Sequence, residues 1–170
     1  MLEGWFFITA GLLVLSGGSK IRNPDPTRGA LRAAGLPSSP GAVYALAAVE
    51  IGLGAAALAI PHSAIAAGVA ILYLGFAVFV GMALARRLPL QSCGCFGKSD
   101  TPPGPIHLGV NLATAAVAGV VATGGGADLL EVLADQPAAG IPYLGFVAVG
   151  VVATALILSE LPAVLPGRAR

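Results

Sequence analysis

Two cysteines, Cys93 and Cys95, stand one glycine apart in the stretch Gln91-Ser92-Cys93-Gly94-Cys95-Phe96-Gly97-Lys98, and they are the whole thiol content of the 170-residue chain. Thiols this close can pair, and the glycine between them lets the backbone bend into a small, strained ring. Strain raises the reduction potential and makes such a disulfide labile. Lys98, Arg86, Arg87 and the N-terminal end of a following helix would favour the thiolate, the form that attacks disulfides and binds metals. Redox exchange is therefore the first reading. Metal capture is the second: Cys93, Cys95 and His107 offer three soft or borderline ligands to Cu(I), Hg(II) or an incomplete zinc site. Inert thiols or a structural staple are the third.

The elements that hold this loop are apolar throughout. Hydrophobic residues make up 56% of the chain and charged residues 10%, against about 25% charge in soluble domains, and the mean hydropathy is +0.88. Five apolar runs, at about 2–18, 43–60, 64–85, 106–123 and 141–161, each approach the ~20 residues that cross a bilayer. They predict one all-α polytopic transmembrane bundle over residues 1–170, with the cysteine loop at 88–105, where Pro89, Pro102, Pro103 and Pro105 forbid a continuing helix. The net charge of +1 points to no nucleic-acid partner. The first run lacks the positive n-region of a cleaved signal peptide and is expected to be retained, with Trp5 as an interfacial anchor.

Between the first two runs lies a polar connection from Ser19 to Gly41. Asp25-Pro26 suggests an N-cap with proline at the first helical position, and Gly35 a C-terminal cap. They predict a surface helix from Pro26 to Ala34, with Leu31 and Ala34 toward lipid and its arginines toward headgroups. In the second run Ala48, Gly52 and Ala56 have the small-xxx-small spacing that lets helices approach closely. Pro61-His62-Ser63 leaves room only for a tight helical hairpin, and His62 is assigned no role. A second short helix is expected over Leu129–Ala134. Gly124-Gly125-Gly126 has no lysine or hydroxyl residue after it and is no phosphate loop.

All nine Lys and Arg residues fall in the first connection, the third connection and the tail. With five crossings these segments share one side, which the positive-inside rule makes cytoplasmic. The expectation is an inner or plasma membrane protein with its N-terminus outside and its cysteine loop inside. The intramembrane polar residues gather in the leaflet of that loop. Glu50 lies roughly 10 Å past Val43 and Asn111 roughly 8 Å past Ile106, by the 1.5 Å helical rise. His107 stands at that face, and Lys20 ends the first helix there. A carboxylate in hydrocarbon costs several kcal/mol unless protonated or paired, so Glu50 is a functional candidate that could accept or deliver a proton. The bland alternative is a packing hydrogen bond, with Asn111 as partner. His107 is an interfacial residue on the bland reading and a proton carrier on the sharp one. No catalytic triad, no His-Glu-x-x-His and no dinucleotide fingerprint occurs.

The stretch Ser92 to Gly97 resembles the signature of the MauE (methylamine utilisation) branch of the DoxX-like membrane proteins. Further matches are Gly17-Gly18-Ser19-Lys20-Ile21-Arg22 with Pro24 following, Glu50 in the second helix and Asn111 early in the fourth. The resemblance spans roughly residues 5 to 123. It implies a four-helix membrane core, to which a fifth helix is added here, and a redox-associated role beside a thioredoxin-like partner. MauE is linked to maturation of methylamine dehydrogenase, whose small subunit needs many disulfides. Carried over, Cys93 and Cys95 would be the exchanging pair, with Glu50, Asn111 and Lys20 as membrane-leaflet support. Apart from the resemblance, Glu50 and His107 are the residues expected to manage protons in the exchange. Disulfide formation belongs to the oxidising outer compartment, whereas the base count puts this loop inside. Either the pair services a cytoplasmic or membrane-embedded partner, or the topology rule misleads here, or electrons cross the membrane. The last wants a quinone or a second dithiol, and the chain has no second pair. The rival classes are a carrier of a soft metal or of a small lipid-like molecule around Glu50, and a non-catalytic subunit of a larger membrane complex.

Overall fold

The computed structural model describes residues 2–60, 62–88, 90, 102–124, 133 and 137–164. Residues 91–101, with Cys93, Cys95 and Lys98, lie outside them, as does the helix expected over 129–134 except for Leu133. Six helices are described: α1 (Leu2–Arg22), α2 (Asp25–Ala33), α3 (Pro40–Ala59), α4 (Ser63–Ala85), α5 (Pro105–Gly124) and α6 (Pro137–Val164). The chain is an all-helical polytopic bundle, and α1, α3, α4, α5 and α6 are each long and apolar enough to cross a membrane. Trp5 is exposed on the surface of α1.

The centre of the bundle is its first helix. Of the most apolar 18-residue window of α1, 61% is buried, against 11% for α6. α1 packs chiefly on α3, and more lightly on α5 and α6, while α4 packs on α5. The turn between α3 and α4 is as tight as its sequence predicts, with His62 Nδ1 accepting from Ala64 N at 3.2 Å to cap α4. Yet the two helices touch little beyond it, because each has a different principal partner. The bundle is thus two helix pairs, α1·α3 and α4·α5, set side by side with α6 against α1.

Close approach of α1 and α3 depends on two glycines. A Cβ on Gly17 would come within 2.7 Å of the Ala47 carbonyl oxygen and of Ile51, and one on Gly54 within 2.7 Å of the Ala10 carbonyl oxygen. The facing stripe of α3 is Ala47, Glu50, Gly54 and Ala57, all buried. This corrects the stripe expected at Ala48, Gly52 and Ala56: Ala48 and Gly52 point outward, and Ala56 is only partly covered. The sequence offered two small-residue rows of similar spacing on one helix, and only the position of the polar Glu50 could have told them apart.

α1 runs to Arg22 rather than ending near Gly18, so Lys20 lies inside the helix. Lys20 and Arg22 in the last turn and Glu3 in the first suit the helix dipole. α3 begins at Pro40, with Ser39 Oγ accepting from Ala42 N at 3.1 Å as its cap. In α2 the expected N-cap moves by one residue. Pro24 holds that position, and Asp25 instead pairs with Arg28 at 2.9 Å. Its C-terminal end is as predicted: Gly35 sits at φ +73°, and Leu36 N donates to the Leu31 carbonyl at 2.9 Å in a Schellman closure. Thr27 and Ala30 form its buried face, and Leu31 is half-buried over a cavity. Beneath it Ala30, Ala83 and Leu90 make a small apolar cluster flanked by Phe79 and Leu88.

Candidate functional site

Lys20 and Glu50 form a buried ion pair across the α1·α3 contact. Their side chains are 3% and 0% exposed, and Nζ stands 2.9 Å from each carboxylate oxygen. Toward Oε2 the geometry is that of a hydrogen bond, whereas Oε1 at the same distance is held by charge alone. Side chains on a helix lean toward its N-terminus, which carries the lysine amine back along α1 and inward. Ser16, one turn earlier on the same face, accepts from Nζ at 2.7 Å and hydrogen-bonds the Glu50 carboxylate. Because α3 starts at Pro40, Glu50 is ten residues in, roughly 15 Å along the axis and near its middle. Two ions there require each other, since their shared attraction offsets the cost of leaving water.

Asn111 and His107 belong to a neighbouring pocket. They line it with Ser16, Tyr73, Phe76 and Leu158, so Ser16 borders both the ion pair and this pocket. Asn111 is therefore a neighbour of the Glu50 site, but Lys20 takes the role of Glu50's packing partner. His107 is 3% exposed and stands in the first turn of α5. Its Nδ1 accepts from Gly104 N at 3.2 Å, closing the first turn of α5. The other ring nitrogen then carries the proton and meets the Leu158 carbonyl of α6. That carbonyl is available for a covalent reason. Its helical donor would be the N–H of residue 162, which is proline and has none. Both nitrogens of His107 are thus engaged, and a metal or a migrating proton must displace one of these bonds.

Phe76 joins the two pockets. Lys20 Nζ lies 5.8 Å from its ring centroid, in cation–π range, and Phe76 also lines a cavity of about 330 Å³ that opens between α3 and α4 beneath α2. Tyr73, one turn earlier, donates its hydroxyl to the Thr9 carbonyl at 2.8 Å and ties α4 to α1.

Of the residues singled out by sequence, Lys20 and Glu50 are brought into contact, and Asn111 and His107 into the next pocket. Cys93 and Cys95 lie outside the described residues, but the chain leading to them is anchored. Leu90 is 7% exposed within its cluster on α2 and α4. Sequence reading missed Ser16, Phe76, Tyr73 and Leu158. Ser16 alone left a signal, since it stands four residues before Lys20 and so on the same helical face.

No curated protein and no solved structure matches the chain. The profile of one family, described as methylamine utilisation protein MauE, matches residues 2–124. That range takes in α1 to α5, the ion pair, both pocket polar residues and the cysteine stretch, and it leaves out α6. The chain is an integral membrane protein that belongs to the MauE family.

Proposed function

We propose that this protein is a membrane thiol–disulfide exchange component whose Cys93/Cys95 pair trades a disulfide with a thioredoxin-like or other dithiol protein. The observation that carries the reading is the position of the pair. The chain's two thiols lie inside the stretch matched by the MauE family, three residues beyond a leucine buried in the bundle. A partner thiolate attacks one sulfur of the pair and releases the other as thiolate. The second partner thiol then resolves the mixed disulfide, leaving Cys93 and Cys95 reduced and the partner oxidised. The reverse sequence reduces the partner.

Glu50 and Lys20 serve this chemistry as positioning residues, fixing α1 against α3. The proton role expected of Glu50 would run through Lys20 and Ser16, whose polar atoms meet its carboxylate. Asn111 and His107 support the same leaflet, and His107 anchors α6 to the matched core. Metal capture by Cys93, Cys95 and His107 would have to break a His107 bond first, which makes it the weaker reading.

The test is Cys93→Ser and Cys95→Ser, each expressed with its partners and run on a non-reducing gel after acid quenching. The expected result is loss of exchange in both, with one of them accumulating a mixed disulfide that a reductant dissolves. Full function in both single variants would overturn the reading and favour a structural subunit.

A further inference from the structure

Resting on that thiol–disulfide reading, we infer that the cavity beneath α2 is the binding site of a lipid-soluble quinone, the two-electron acceptor that reoxidises the cysteine pair. The cavity holds about 330 Å³, within the range of small-molecule sites, and like them it is mostly apolar with few polar side chains, here Lys20 and Thr27. It exists because α3 and α4 diverge to different partners, leaving a gap that the surface helix α2 roofs through Thr27, Ala30 and Leu31. The open side faces lipid: Ile71 on its rim is 69% exposed, and Gly75 is exposed beside it. A ligand therefore arrives by way of the bilayer and must be hydrophobic.

Three features choose a quinone among such molecules. Phe76 and Phe79 line the cavity and offer flat faces to a ring. Lys20 contributes the one charged group of the lining, a donor that a quinone carbonyl accepts from and an acyl chain cannot use. It would share that ammonium with Glu50, and the bond strengthens as reduction puts negative charge on the oxygen. The third feature is proximity to the thiols. Ala30 and Phe79, two residues of the cavity wall, also pack around Leu90. Cys93 is three positions beyond Leu90, a covalent reach of at most about 11 Å.

The reaction balances without a further reagent. Both S–H bonds break and one S–S bond forms, so the pair gives up two electrons and two protons. The quinone takes both and becomes the quinol with two new O–H bonds, then leaves into the lipid. The disulfide so formed is what the partner dithiol consumes. Oxidising power thus enters from the membrane, whichever side the loop faces.

The test uses the full-length protein in lipid nanodiscs with radiolabelled decylubiquinone as probe. The wild-type protein should show binding that saturates above that of empty discs and is displaced by excess unlabelled probe. Gly75→Leu should weaken it by about tenfold or more, since Gly75 lines the cavity, a Cβ there meets nothing within 4 Å and a larger side chain takes up the ligand's space. The double variant Cys93→Ser/Cys95→Ser should bind as the wild type does, whereas only the reduced wild-type protein should convert the probe to quinol, about one per chain by the two-electron balance. Non-saturating uptake by the wild type overturns the proposal without recourse to any variant, as does binding with no quinol formed while partner trapping succeeds. Failure of the underlying reading is distinct: the probe binds, but the reduced protein makes no quinol and traps no partner.

Discussion

Lys20 Nζ stands 2.9 Å from both carboxylate oxygens of Glu50, thirty positions away in sequence, with both side chains closed off from solvent. Each charge is tolerated only because of the other. Breaking such a pair by removing one partner typically costs about 3–5 kcal/mol, because it strands an ion, while removing both can be nearly neutral. Lys20→Met and Glu50→Gln should each lower stability by that amount, and Lys20→Met/Glu50→Gln should recover most of it. Thermal unfolding in detergent reads both. If the double variant is as unstable as the singles, the pair is not the mutual requirement described.

Gly17 and Gly54 set the distance between α1 and α3. Gly17→Ala and Gly54→Ala each push a methyl against a backbone carbonyl at 2.7 Å, and should cost about 1–3 kcal/mol by overpacking. Gly52→Ala has nothing within 4 Å of its new carbon and should gain about 0.5–1 kcal/mol from helix propensity. Similar unfolding temperatures for all three would mean that α3 presents a different face to α1.

The bond from His107 to the Leu158 carbonyl substitutes for one that Pro162 cannot make. His107→Phe should destabilise by about 1–3 kcal/mol, the cost of leaving buried polar groups unpaired. Pro162→Ala restores a helical donor to that carbonyl, so in its background the penalty should shrink by about 1 kcal/mol. A double-mutant cycle measures this directly, and zero coupling would separate the two residues.

The distribution of basic residues predicts that the cysteine loop faces the cytoplasm. A membrane-impermeant maleimide applied to intact cells should then leave this protein unlabelled, with or without prior reduction. Labelling that appears only after reduction would instead show an outward-facing disulfide, and would reverse the orientation.

By itself the sequence determined the number and character of the spanning helices, because crossing a bilayer demands a length and an apolarity that read directly from composition. It also marked Glu50, since an ionisable residue within such a run is costly enough to need a reason, and it marked the Cys-Gly-Cys stretch by its chemistry alone. Gly35 and the end of α2 were legible because only glycine takes that backbone angle without strain. Tertiary structure decided which residues meet. Several candidates could have paired with Glu50, and Lys20 prevails because α1 continues past Gly18 and turns the lysine inward. Periodicity could not choose between two small-residue stripes on α3, as both have helical spacing. The cavity beneath α2 was invisible for the same reason: it is a gap left when neighbouring helices prefer other partners, and that preference is a property of packed surfaces.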